Sequence, residues 1–249
     1  MNRLFLPYLL FALAISGCAS HDTKPNEQAP GIQGVKNDDP LEPLNKDIYR
    51  FNISIDKALM KPVAIRYDKA TKGPVRKGIS NFFQNLGEPR SMLNSFLQGK
   101  LNEGMISIAR FTINSTFGIG GLIDVAGMSG APFHDGDFGQ TLGVWGWKKS
   151  NYIMLPLLGP SNARDTIGQI VDFFSYPLLY YNHEPARTGM YIMKLVDARA
   201  NALGTTDILN TAAGDQEYQF VREAYRQHRD SQIRNGKPKL EGLEFIEDN

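Results

Sequence analysis

The chain has 249 residues, with 27 Lys and Arg against 26 Asp and Glu, and 42% of its residues are apolar. A formal charge of +1 excludes the dense cationic face that nucleic-acid binding requires. A single cysteine excludes any disulfide within the chain, so packing alone must hold the fold together.

The first element is an N-terminal leader. Asn2 and Arg3 precede an apolar run from Leu4 to Ile15, which is too short to span a bilayer as a stable helix. Ser16 and Gly17 then lead into Cys18, the sole thiol. This pattern resembles a bacterial lipobox; the alternative is an ordinary secretory signal with an incidental cysteine. On the lipobox reading, residues 1–17 are a signal peptide and Cys18 is the lipid attachment site, carrying N-acyl and S-diacylglycerol groups. Three chains exceed the two signals that stable anchoring takes. Ala19 and Ser20 follow, with no Asp to retain the protein at the inner membrane. By resemblance to sorted lipoproteins, the destination is the outer membrane of a Gram-negative cell, with the polypeptide lipid-anchored on the periplasmic side. Loss of the leader removes Arg3 alone and leaves 26 basic against 26 acidic residues.

Residues 18–37, rich in Pro, Gln, Asn and Gly, read as a flexible tether. Residues 38–230 hold enough chain for one domain with a substantial core, and residues 231–249 read as a charged tail. Within the domain the apolar spacing is helical. Ile48, Phe51, Ile55 and Leu59 form a first stripe, which Pro62 is expected to end. Pro74 suits a first helical turn; Val75, Ile79, Phe82 and Leu86 follow, with Gly87 as the expected stop. Pro89 is expected to start the next helix, closed by Gly99. Met105 to Ile113 is apolar on nearly every side, which fits deep burial or contact with lipid. Ser161 is the expected N-cap of a helix bearing Ile167, Ile170, Val171 and Phe174. Pro185 to Leu203 is expected to be the longest helix, and a last one carries Tyr218, Val221 and Tyr225. Sustained period-two alternation is missing, so the expected fold class is all-α and a β-barrel is excluded.

Between these helices, glycines cluster from Gly118 to Gly130 and again at Gly139, Gly143 and Gly146, beside Trp145 and Trp147. They read either as tight turns or as a mobile, aromatic-bearing gating loop. Asp165 and Asp172, seven apart, fall on nearly one helix face. Asp165 either pairs with Arg164 or another cation, or lines a polar conduit together with Asp172.

The usual catalytic strings fail. Gly118-Ile119-Gly120-Gly121 lacks the βαβ context and spacing of a dinucleotide fingerprint. Asp137-Phe138-Gly139 has no kinase catalytic loop ahead of it. The histidines 21, 134, 183 and 228 are scattered, with no metal-ligand spacing, and no serine lies in Gly-x-Ser-x-Gly. The sequence therefore gives no catalytic residue, no metal ligand and no cofactor, and the expectation is a protein that is not an enzyme.

From Asp38 onward, five ordered blocks are distinctive: DDPLEPLNKDIYRFN (38–52), PVRKGISNFFQNLGEPRSMLNSFLQGK (74–100), RFTINSTFGIGGLIDVAG (110–127), DFGQTLGVWG (137–146) and LPLLGPSNARD (155–165). Together they resemble the MlaA/VacJ family of outer-membrane lipoproteins, over most of the chain to about Arg229. The resemblance implies a ring-like single domain of amphipathic helices, embedded in the inner leaflet of the outer membrane around a central amphipathic channel. It implies phospholipids as cargo, and a trimeric porin and a soluble periplasmic lipid-carrier protein as partners. The implied role is maintenance of lipid asymmetry by passing phospholipid between the outer membrane and the carrier. Acidic residues after LPLLGPS line the hydrophilic side of the channel in the family, which carries that role to Asp165 and Asp172. After Gly146 the chain departs from the family pattern, with Trp147-Lys148-Lys149 where relatives often have Gly-Pro-Tyr. Two other functions compete: a structural porin-associated envelope lipoprotein without transport activity, and a lipid-modifying hydrolase.

Overall fold

Helix α1 (Glu42–Ile55) opens the ordered part of the computed structural model, which describes residues 39–206 and 216–235. All of them belong to one unit, Asp39–Asn249, so Cys18, the leader and the tether lie outside the described residues. Pro62 does not end the first helix. A π-helical turn, Asp56–Met60, joins α1 to α2 (Lys61–Ala70), placing Pro62 in the first turn of α2. The wider turn accommodates a residue that has no N–H to give an i→i−4 bond.

Helix α3 (Pro74–Leu97) starts after Gly73 at φ +67° and runs 24 residues, through both Gly87 and Pro89. The sequence signals for a stop and a restart are thus overridden, and α3 rather than the later helix is the longest. Tertiary packing is the reason: the turns flanking Pro89 are fixed by the buried Glu88, Ser91, Asn94 and Ser95, all facing α4 (Leu101–Thr116) or its neighbours. Gly104 lets the two helices approach closely, since a Cβ there would lie 2.5 Å from the Phe96 ring.

The α3–α4 interface is polar. Arg110 donates from Nε to Glu88 at 2.6 Å, and both side chains are essentially inaccessible. It also donates to the Ala131 carbonyl at 2.7 Å and pairs with Asp124 at 3.1 Å. Asn114 bonds Asp124 at 2.8 Å and the Ala126 amide at 2.9 Å. These bonds fold the glycine-rich segment after α4, including short α5 (Val125–Met128), back onto α3 and α4. Meanwhile Leu101, Met105 and Ile108 of α4 point outward while Ser107 and Arg110 are buried, so deep burial of Met105 to Ile113 on every side does not hold.

Residues 138–144 form helix α6 (Phe138–Val144), N-capped by Asp137. The chain then makes an antiparallel hairpin, β1 (Tyr152–Leu155) and β2 (Gly159–Asn162), with Tyr152 opposite Asn162 and Leu155 opposite Gly159. This hairpin is the one addition to the helical expectation; four-residue strands are too short to show alternation. Asn45 and Asn52 of α1 stand in for a strand partner at its free edge. Asn45 donates to the Tyr152 carbonyl and accepts from the Met154 amide, at 3.2 and 2.8 Å. Asn52 does the same for the Leu155 carbonyl and Leu157 amide, at 2.9 and 2.8 Å.

Asn162, not Ser161, caps α7 (Ala163–Ser175): it ends β2 immediately before the helix, and its side-chain oxygen accepts from the Asp165 amide at 2.8 Å. Helix α8 (Glu184–Asn201) packs on α2 and α3 through Asp197, which accepts from Tyr67 and Ser80, each at 2.8 Å. Helix α9 (Glu217–Ile233) closes a small aromatic core of Tyr152, Met154 and Tyr218, flanked by Ile48, Tyr49 and Tyr225. Among the described residues, no helix is long and apolar enough to cross a membrane.

Candidate functional site

The interior of the α3–α7–α8–α9 assembly is polar and hollow. A cavity of about 400 Å³ is bordered by Asp165 and Asp172 from α7, so the structure brings both predicted aspartates to one site. Gly139 and Gly143 lie behind it rather than in its wall. A second cavity, about 550 Å³, lies between α3 and α8 and shares Arg90, Tyr176 and Lys194 with the first.

One end of the first cavity is a closed charge network. Arg229 of α9 grips Asp137 with both terminal nitrogens, at 2.6 and 2.8 Å, and donates Nε to Asp165 at 2.8 Å. Asp165 also accepts from Arg164 at 2.8 Å, from Asn162 at 2.7 Å and from the Tyr225 hydroxyl. Burial alone would raise the Asp165 pKa; the bonds from Arg229 and Arg164 outweigh it and hold the group at about 2. Asp165 is therefore an ion-paired carboxylate that also borders the cavity. Asp172 has a different setting. It accepts from Asn94 and from the Phe138 amide, each at 2.9 Å, and burial pushes its pKa up despite them.

The segment read as a gating loop is a helix through residue 144, and two of its glycines are contact positions. A Cβ on Gly139 would stand 2.5 Å from the Asp165 carboxylate, and one on Gly143 would stand 2.7 Å from the Ile233 side chain. Gly168 of α7 meets the backbone of Gly139 even more closely: its Cβ would lie 2.3 Å from the Gly139 nitrogen. Gly146 differs. It follows the helix at φ +117° with open space around it.

Sequence reasoning singled out neither Arg90, Tyr176, Tyr191 and Lys194 nor Arg229 as site residues. They come from four separate elements and share no local motif. Asp137 stands in the rejected Asp137-Phe138-Gly139 string and in the 137–146 block, neither of which gives it a site role. Among the described residues, no group of His, Cys, Asp and Glu has the arrangement to hold a metal ion.

The exterior reverses the usual order. Ile167, Ile170, Val171 and Phe174 of α7 are 40–58% exposed, while Arg164, Asp165, Gly168 and Asp172 on its other side are buried. Phe117, Ile119, Met128, Leu157 and Leu158 are each at least 67% exposed. An apolar groove of about 400 Å³, lined by Ile79, Phe82, Leu122, Met190 and Met193, runs along the outside of α3 and α8. Phe83 forms part of both this groove and the second polar cavity.

Comparison with known proteins is consistent throughout. The Intermembrane phospholipid transport system lipoprotein MlaA of Escherichia coli (strain K12) is 37% identical over 224 residues, covering 88% of this chain and 84% of that protein. Its namesake from Haemophilus influenzae is 32% identical over 241 residues, covering 95% and 92%. A solved structure from work on the "Structural basis for maintenance of bacterial outer membrane lipid asymmetry" superposes with a TM-score of 0.68 at 38% identity, over 78% of this chain and 98% of that one. Residues 37–232 match the model of the MlaA lipoprotein family, and the chain belongs to that family.

Proposed function

We propose that this protein is a lipoprotein of an intermembrane phospholipid transport system, seated in the inner leaflet of the outer membrane. There it passes phospholipids between that membrane and a soluble periplasmic carrier. The observation that carries this reading is the inversion of polarity: ion pairs and polar cavities inside, leucines, isoleucines and phenylalanines outside. In water such a surface would be costly, whereas in hydrocarbon it is the expected one. That no helix among the described residues is both long and apolar enough to cross a membrane suits a protein lying in one leaflet.

The energetics explain why a conduit is useful without chemistry. Exposing the roughly thirty methylenes of a free phospholipid to water costs on the order of 25 kcal/mol. Carrying its headgroup through hydrocarbon is also costly. A polar interior open to apolar grooves lowers both barriers, and no covalent bond is made or broken, so the protein is not an enzyme. In this reading the polar cavities belong to an amphipathic channel within a ring of helices, Asp165 and Asp172 are part of its wall, and Cys18 carries the acyl anchor. A trimeric porin is the proposed scaffold in the membrane.

The test is direct. Protein purified from membranes is expected to carry intact phospholipid and to copurify with a porin. A deletion strain should become detergent-sensitive with excess surface phospholipid at unchanged porin level. Porin loss as the sole defect would instead assign a structural role, and release of fatty acid or headgroup from labelled phospholipid would assign hydrolysis.

A further inference from the structure

The wall of the first cavity holds hydrogen-bond donors with no partner, and Arg90, Tyr176 and Lys194 of that wall also border the second cavity. The Tyr176 hydroxyl, the Tyr191 hydroxyl and the Arg90 Nε are all buried without a hydrogen-bond partner. Tyr176 itself is only 6% exposed, and a buried hydroxyl without a partner is uncommon. Lys194 sits beside them, its ammonium 3.9 Å from the centre of the Tyr176 ring. Among the described residues, no carboxylate lies within ion-pairing distance of that ammonium. Arg90 reaches Asp135 with a terminal nitrogen, and its Nε is left without a partner.

The acceptors of the same cavity are already taken. Arg229 occupies Asp137 and Asp165, while Asn94 and the Phe138 amide occupy Asp172. The mismatch is thus local: satisfied carboxylates at one end, unsatisfied donors and an uncompensated cation at the other. Stacking of Tyr191 between Phe173 and Tyr176, with ring centres 6.3 and 6.2 Å apart, fixes where both hydroxyls sit. Burial pushes the Tyr176 hydroxyl up to about 12, so it stays a donor at any physiological pH. Burial, reinforced by Arg90 and partly opposed by Asp135, brings Lys194 down to about 8, as expected of a cation awaiting a counter-charge.

We propose that Arg90, Tyr176, Tyr191 and Lys194 form a binding site for the phosphodiester of a phospholipid headgroup. A phosphodiester offers several acceptor oxygens and one negative charge, which matches four donor side chains lining one cavity, two of them cationic. Phe173 and Leu158 border the same cavity, and both are substantially exposed, so the site opens onto apolar surface. That setting fits an anion carrying acyl chains better than a bare one. The inference rests on the transport reading above and names the residues that recognise the cargo.

The experiment uses the full-length acylated protein in detergent and isothermal titration with three probes: dihexanoyl phosphatidylglycerol, dihexanoylglycerol and inorganic phosphate. The variants are Lys194→Met and the pair Tyr176→Phe with Tyr191→Phe, which removes two hydroxyls and keeps both rings. Wild-type protein is expected to bind the short-chain phospholipid at least tenfold more tightly than either other probe. Each variant should lose about tenfold for the phospholipid, with dihexanoylglycerol unchanged. Unaltered phospholipid affinity in both variants would overturn the site and leave the transport reading standing. Wild-type protein that binds no phospholipid would overturn both. Inorganic phosphate bound as tightly as the lipid would overturn the headgroup assignment in favour of a free-phosphate site. Thermal melting accompanies each variant; should Lys194→Met unfold, the tyrosine pair, which preserves packing, decides.

Discussion

At Asp165, donors from the end of the hairpin, α7 and α9 meet on one carboxylate, whereas Asp172, two turns on, has only an amide side chain and a backbone N–H. Equal chemistry in sequence therefore becomes unequal energetics. Asp165→Asn strips the charge that Arg164 and Arg229 face, leaving buried Arg164 without a carboxylate and Arg229 with Asp137 alone. It is expected to cost about 3 kcal/mol in thermal or denaturant unfolding. Asp172→Asn removes a charge that burial already disfavours and should cost about 1 kcal/mol or less. The pH dependence follows with a definite sign. An unfolded Asp titrates near about 3.9 and the folded Asp165 at about 2. Its stabilisation is therefore fully present above the unfolded value and is lost as pH falls through the folded one. Unfolding midpoints of wild type and Asp165→Asn should differ most above pH 5 and converge as the pH approaches 2. A constant gap across that range would contradict the ion-pair account.

At the scale of elements, α6 and α7 depend on three glycines whose neighbours differ in how far they can yield. The Cβ of Gly168→Ala would meet rigid backbone at 2.3 Å, so the helices must separate. A loss of about 2 kcal/mol or more is expected. At Gly143 the neighbour is the flexible end of Ile233, at 2.7 Å, and Gly143→Ala should be tolerated to within about 1 kcal/mol. Thermal melts of the two single variants check this ordering, and a reversed order would show that the helix pair is not set by backbone contact. Helix α4 makes the complementary point about polarity. Its buried stripe is Gly104, Ser107, Arg110 and Asn114, and its outer face carries Met105 and Ile108. Met105→Lys should leave the fold intact by circular dichroism, yet lower the membrane-bound fraction of protein that lacks its acyl anchor.

On the scale of the whole molecule, the proposed function gives attachment two independent sources, acyl chains on Cys18 and the apolar exterior of the helical domain. Cys18→Ala is expected to leave a mislocalised protein, recovered partly in the soluble fraction, with an outer membrane that becomes detergent-sensitive. Full envelope integrity with the variant wholly released from membranes would show that the anchor is dispensable. On that reading the many exposed apolar side chains face hydrocarbon rather than other proteins.

The sequence by itself determined the family, the helical class and the positions where most helices start. These depend on local spacing, caps and ordered motifs, all of which are written along the chain. It also placed Asp165 and Asp172 on one face, because a helix repeats every 3.6 residues. Which face turns inward was not legible. Amphipathic spacing is identical for a helix that buries its apolar side and one that buries its polar side, and only the packing of α3 on α4 through Glu88 and Arg110 decides. The same holds for Gly87 and Pro89, strong stops in isolation, which long-range contacts override within α3. The cluster of Arg90, Tyr176, Tyr191 and Lys194 was equally invisible, since its members are far apart along the chain and only the fold brings their unsatisfied donors into one wall.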